Sequence, residues 1–160
     1  MKDIIYRYEN TLGFTEFRNE SGMHLRLLQD GSLYSIENDN VMANLFMGNV
    51  LDGAIGNVYI RIKSGSDFKV SPLINKKALL TQSTADNAWS YKGSFENIDY
   101  TLDFRLAPKS SNWFWTAKAV NNSGTDAEID FIYIQDAGVA AKGASHNNEA
   151  YVSHYIDQTI

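Results

Sequence analysis

The chain has 160 residues, 44% hydrophobic and 21% charged, with a formal net charge of −5 and no cysteine. That length supports one domain around one core, and the composition excludes wholesale disorder. An acidic balance with no Lys/Arg run excludes a nucleic-acid or anionic-membrane surface, and the lack of cysteine excludes a disulfide framework, a thiol nucleophile and a thiolate metal site.

The first ten residues lack the apolar stretch of a signal peptide and no segment reaches membrane-spanning length, which places the protein in the cytoplasm. Residues 3–20 mix Tyr6, Tyr8, Phe14 and Phe17 with polar partners, a pattern suited to one or two edge strands. Met23–Leu28 and Ser32–Glu37 flank Asp30-Gly31 and read as a hairpin with a type I′ turn, Leu25 facing Ile36 and Leu27 facing Tyr34. From Glu37 to Asn57 short apolar pieces sit among Gly, Asn and Asp, and a long irregular connection is expected. Val58, Ile60 and Ile62 alternate with polar neighbours as a strand, and a short strand near Phe68–Val70 is all that 64–87 predicts.

Trp89–Leu106 carries the clearest pattern. Ile98, Tyr100, Leu102, Phe104 and Leu106 alternate with Asp99, Thr101, Asp103 and Arg105, while Trp89, Tyr91 and Phe95 share a face of the preceding arm. With Glu96-Asn97 as the turn, Phe95 pairs with Ile98, Tyr91 with Leu102 and Trp89 with Phe104. A slip of one residue would turn the whole apolar set outward. Gly93 relieves crowding or allows a bulge. Trp113–Val120 follows as a strand apolar on both faces, which predicts an interior position, and Ala127–Gln135 as another, giving a four-stranded antiparallel meander over 89–135. No amphipathic helix of ten or more residues is evident. The predicted fold class is all-β, an antiparallel β-sandwich of two sheets, with 1–160 as a single domain.

Candidate chemistry is sparse. Asp136–Ala150 is a long segment without strand pattern, and such segments concentrate function. Within it Asp136, His146, Asn147, Asn148 and Glu149 offer donors and acceptors suited to sugar hydroxyls or to a neighbouring domain, against the plainer reading of a solvated loop. His146, Glu149 and His154 have ligand chemistry but no standard metal spacing, so no metal or cofactor is expected. Asp99, Asp103, Glu128 and Asp130 fall on wet strand faces, where nothing raises a carboxyl pKa toward a glycosidase role. No nucleophile elbow and no phosphate loop is present. Trp113 and Trp115 suit either a sugar-stacking platform or, with more weight, core packing.

The stretches Asn40–Asn44, Gly48–Gly53, Asn57–Ile62, Gln135–Gly143, Asn148–Val152 and Tyr155–Asp157 together resemble the N-terminal region of the inverting phosphorylases of glycoside hydrolase family 94, most of all those acting on 1,2-β-oligoglucans. The likeness runs from about Met23 to the end of the chain. It implies a β-supersandwich similar to galactose-mutarotase-like domains, ahead of helical linkers and a helical barrel that carries the general acid and most of the phosphate site. The family cleaves β-glucosides with phosphate and releases α-glucose 1-phosphate with inversion. By this resemblance the chain is most or all of the sandwich, its partners are a β-glucan oligosaccharide and a downstream helical catalytic domain, with homodimer contacts a further role, and no catalytic residue is carried onto it. A free-standing carbohydrate-binding module and a structural interaction domain are the alternatives.

Overall fold

The structure is a computed structural model and describes residues 13–48, 55–75, 77–83 and 87–147, with 82–83 and 145–147 by backbone only. In chain order the strands are β1 (Phe14–Arg18), β2 (Met23–Leu28), β3 (Leu33–Asn38), β4 (Val41–Met42), β5 (Gly56–Ser64), β6 (Asp67–Pro72), β7 (Leu79–Ser83), β8 (Ala88–Phe95), β9 (Ile98–Leu106), β10 (Trp113–Asn121), β11 (Ile129–Gln135) and β12 (Ala140–Ala141), followed by helix α1 (Lys142–Asn147). Three antiparallel sheets result, ordered β1-β2-β3-β4-β12, β10-β9-β8-β7 and β11-β5-β6. The all-β antiparallel sandwich expected from the sequence forms, in three sheets rather than two. Strands β4, inside the expected irregular connection, β6 at its full length, β7 and β12 go beyond the sequence reading.

The β8–β9 hairpin has the predicted register, with Phe95 opposite Ile98, Tyr91 opposite Leu102 and Trp89 opposite Phe104. Its turn residues Glu96 and Asn97 both adopt positive φ, 51° and 62°, as a two-residue turn matched to strand twist requires. Gly93 stands opposite Tyr100, and a Cβ there would lie 2.4 Å from the Tyr100 hydroxyl. The glycine therefore makes room for a ring, and the pairing continues without a bulge. Tyr100 uses that hydroxyl to donate to the Leu73 carbonyl at 3.1 Å.

The four-stranded sheet is covered by the inward faces of the other two. Phe17 of β1 meets Trp89 edge-on at 5.9 Å between centroids, and Phe104 stacks at an angle on Trp115 at 4.8 Å. Leu25, Leu27, Leu33, Ile36, Ile60, Tyr91, Leu102 and Phe104 are completely buried in this core. At the β2–β3 turn, Gly31 has φ 83°, and a Cβ would meet the Tyr91 ring at 2.6 Å. The Tyr91 hydroxyl donates to the Gly31 carbonyl and pins this turn to the opposite sheet. Burial raises the Tyr91 pKa well above the ordinary value, so the donor persists at any working pH.

Three expectations are corrected. The Asp30-Gly31 turn is not type I′: Asp30 lacks positive φ, Gly31 N–H bonds the Leu28 carbonyl at 2.9 Å, and Leu28 N–H bonds the Ser32 carbonyl at 2.8 Å. This three-residue loop with a left-handed glycine shifts the register, so Leu27 faces Leu33 rather than Tyr34, although Leu25 still faces Ile36. Second, β11 does not extend the meander. It leaves β10 and pairs with β5, Phe131 opposite Ile60 and Tyr133 opposite Val58. Third, β10 is not interior: among the described residues it is an edge strand, with Phe114 and Val120 exposed on its outer face.

Leu102, fully buried at the centre of β9, gives the first test. Leu102→Ala is expected to lower stability by about 2 to 5 kcal/mol in denaturant melts. A loss under about 0.5 kcal/mol, the range of surface substitutions, would place that face outside the core.

Candidate functional site

The segment that the sequence singles out runs from β11 into β12 and α1, and the structure lays it against residues 40–48. Asp136 stands where the chain crosses between sheets. Its Oδ2 accepts the Leu45 and Phe46 backbone N–H groups at 2.8 and 2.7 Å, while its own N–H donates to the Ile55 carbonyl at 2.8 Å. Gly138 N–H donates to the Ala43 carbonyl at 2.8 Å, Ala140 pairs with Met42, and Lys142 N–H reaches the Asn40 carbonyl at 2.7 Å. The approach is close: a Cβ on Gly138 would lie 2.7 Å from the Leu45 Cα. Asn44, wholly buried, accepts the Ile36 N–H at 2.7 Å and donates to the Phe46 carbonyl at 2.6 Å, so residues 43–46 have backbone partners without joining a long strand.

Beside this clamp lies a cluster of charged groups on the face of β1–β3 turned away from the core. His24 pairs with Glu37 and Arg26 with Ser35 in the β2–β3 register, and Glu16 of β1 stands opposite Arg26. Glu37 is 1% exposed. Its Oε1 receives Arg26 Nη2 at 2.9 Å and Ser35 Oγ at 3.0 Å. Its Oε2 is held by Lys142 Nζ, with His24 Nδ1 at 3.7 Å. His24 Nε2 approaches Glu16 at 3.3 Å without hydrogen-bond geometry. Burial pushes the Glu37 carboxyl up, but the hydrogen bonds from Lys142 and Ser35 and the charge of Arg26 outweigh it, and the net shift is downward. For His24, burial and then the Arg18 charge outweigh the attraction of Glu16 and Glu37 and lower its pKa, keeping the ring neutral. Lys142 thus fixes the start of α1 to β3 with its side chain and to the β3–β4 turn with its backbone.

Of the residues expected to form a site, Asp136 is engaged as a backbone acceptor. His146 and Asn147 belong to α1 by backbone, and their side chains, with all of Asn148 and Glu149, lie outside the described residues. The segment expected to lack regular structure contains β12 and α1 instead. Asp130 bonds Arg61 at 2.6 Å and Glu128 bonds Lys63 at 2.9 Å, both on the exposed side of the β5–β11 pair. Trp115 packs on Phe104 and within 6.2 Å of Tyr91, which makes it core rather than a free stacking surface. Glu37, Arg26 and His24 were not anticipated from the sequence. Pairing Leu25 with Ile36 already sets His24 against Glu37, so the signal was present in the register. Elsewhere a shallow hollow of about 420 Å³ is bordered by the β5–β6 turn, Glu96 and residues 123–128. Its lysines, Lys63 and Lys69, are tied to Glu128 and Glu96.

These features define an antiparallel β-sandwich domain whose motif-bearing segment is a clamp between sheets. The chain belongs to the SOGP N-terminal domain family, which it matches over residues 26–160. It is 29% identical over 130 residues to a 1,2-beta-oligoglucan phosphorylase of Listeria innocua serovar 6a (strain ATCC BAA-680 / CLIP 11262). That stretch is 81% of this chain and 11% of the relative, so the chain spans a small part of the protein it resembles. Among the described residues no helix is long and apolar enough to cross a membrane.

The charged cluster sets a pH dependence. His24 has a folded pKa below its ordinary 6.5 and Glu37 one below its ordinary 4.5, so in each case the unfolded chain binds the proton more readily. The contribution of these two groups to stability is therefore full above pH 6.5, falls as His24 is forced to protonate below that value, and falls again as Glu37 titrates below 4.5. Melting temperature against pH should show the upper limb flatten in His24→Gln while the lower limb persists. An upper limb unchanged in that variant would assign it to another group.

Proposed function

We propose that this chain is the non-catalytic amino-terminal sandwich of a cytoplasmic β-glucan phosphorylase of the family 94 type, which converts β-glucan, here 1,2-β-oligoglucan, and phosphate into α-glucose 1-phosphate. Its role is to pack against a downstream helical catalytic domain and to border the active site with residues 136–150, with homodimer contacts as a further contribution. The observation that carries this reading is the use made of Asp136. Within Gln135–Gly143, one of the stretches that carry the family resemblance, Asp136 holds two backbone amides of a neighbouring loop.

Inverting phosphorolysis requires an acid positioned to protonate the leaving oxygen and a cationic or dipolar site to hold phosphate in line on the opposite face. The buried acid Glu37 is held ionised by Arg26, Ser35 and Lys142, the reverse of what a general acid needs. Lys142 and Arg26 are committed to that carboxylate, and Lys63 and Lys69 to Glu128 and Glu96. These pairings support shape rather than turnover. The similarity to a 1,2-beta-oligoglucan phosphorylase supports the class of the parent reaction.

The test incubates the purified chain with 1,2-β-glucooligosaccharides and phosphate and assays glucose 1-phosphate. No product is expected. Turnover that follows the protein through purification and disappears in Asp136→Ala or Glu149→Ala would make this segment an enzyme in its own right.

A further inference from the structure

Among the described residues the sandwich is open along one edge, and the opening has a definite shape. On β11, Ile129, Phe131 and Tyr133 stand opposite Ile62, Ile60 and Val58, so all three share the inward face of their sheet. Yet Phe131 is 39% and Tyr133 45% exposed, while Ile60 and Val58 are buried. The layer that should cover them is the sheet ending at β10. Trp115 of that strand lies 6.4 Å from the Tyr133 ring, and Trp113 Nε1 donates to the Tyr133 hydroxyl at 3.5 Å. Among the described residues the covering layer stops at β10, and inward-facing aromatic surface is exposed.

Among the described residues the edge of β10 is also unpaired. Proteins blunt exposed edges with short strands, prolines, bulges or inward-pointing charges. Strand β10 is nine residues long, Trp113–Asn121, pairs with β9 without a register shift and contains no proline; its lysine, Lys118, is not on the inward face. The phase of its hydrogen bonds follows from the two ends of the hairpin. Ala107 N–H bonds the Asn112 carbonyl and Asn122 N–H bonds the Asn97 carbonyl, at 3.0 and 2.9 Å. Bonded and non-bonded pairs alternate between antiparallel strands, so Phe114, Thr116, Lys118 and Val120 bond to β9. Trp113, Trp115, Ala117 and Ala119 direct their backbone groups off the sheet.

We infer that β10 is a strand acceptor, and that its occupant is an extended segment of the polypeptide that follows this domain in the longer protein. This rests on the reading above that the chain is the amino-terminal part of such a protein; the 11% coverage of the relative leaves ample chain to supply a strand. The occupant adds to Trp113, Trp115, Ala117 and Ala119 by backbone hydrogen bonds. Its alternate side chains are apolar and close over Phe131 and Tyr133, while those between face outward beside Phe114 and Val120. Main-chain bonds supply the affinity and the aromatic floor sets the register of such an addition.

Amide hydrogen exchange compares the 160-residue chain with the longest polypeptide encoded by its reading frame. In the longer protein the amides of Trp113, Trp115, Ala117 and Ala119 should slow by on the order of a hundredfold, with those of β9 little changed. Ala119→Lys, an inward-pointing charge at the edge, should return the first three to the rate of the short chain. Ala119→Pro, which removes no bond to β9, should do the same, and unchanged Leu102 exchange verifies that both variants are folded. No slowing at these amides, or a reading frame that closes at Ile160, overturns the inference. Concentration-dependent protection of the same amides in the short chain, unchanged in the longer one, overturns it in favour of a second copy. Phosphorolysis measured on the longer protein separates the two readings: protection without turnover removes the proposed activity and leaves the strand acceptor, while turnover without protection does the reverse.

Discussion

The arrangement depends on one carboxylate placed where the chain changes sheets. Leaving β11, the backbone must cross from the sheet of β5 to the sheet of β3, and at the crossing it meets residues 43–48, which belong to no long strand. Their donors need acceptors once water is displaced. A single oxygen of Asp136 takes the Leu45 and Phe46 amides, and charge-assisted bonds of this kind are stronger than neutral ones. Gly138 then permits an approach that any side chain would block, and the β4–β12 pairing can close. Contacts spanning 90 residues of sequence give the 43–48 loop its path, so the first sheet and the last strands are organised as one unit.

The charged cluster continues the same clamp in a different chemistry. Glu37 on β3 receives Lys142 from the start of α1, Arg26 from β2 and the Ser35 hydroxyl. A buried ion pair gains little over apolar packing of the same volume, but removing one partner strands a charge and is costly. The cluster therefore fixes one arrangement of α1 and β3. On the other side of the sheet, Tyr91 and Gly31 tie the β2–β3 turn to the opposite layer, and the Phe17, Trp89, Phe104 and Trp115 rings fill the space between.

What could be read from the sequence was local. The β8–β9 register followed from alternation and a two-residue turn, because both constraints act within eighteen residues. The β2–β3 hairpin was legible up to its turn, where Asp30-Gly31 fits either a type I′ turn or the bulged loop that forms, and only the packing of Gly31 under Tyr91 decides between them. The departure of β11 to β5 was not legible, since a Ser-Gly turn suggests a return to β10 and nothing local names a partner far earlier in the chain. A faint signal existed in the opposite charges of Arg61 and Lys63 against Asp130 and Glu128. For the site, Asp136 was visible as a residue in a small-residue segment, but its role was not, because a carboxylate that holds backbone amides and one that holds a ligand look alike in sequence.

Residues 136–142 are thus built to fix the path of the chain, and their chemistry is that of a clamp. Amide exchange of Leu45 and Phe46 in the native chain and in Asp136→Ala tests this most directly. The account predicts slow exchange of both amides in the native chain, and in the variant a marked acceleration that spreads to Met42 and Ala140 while Leu102 keeps its protection. Equal exchange of Leu45 and Phe46 in the two proteins would contradict it and return the Asp136 carboxylate to the pool of groups free to meet a ligand.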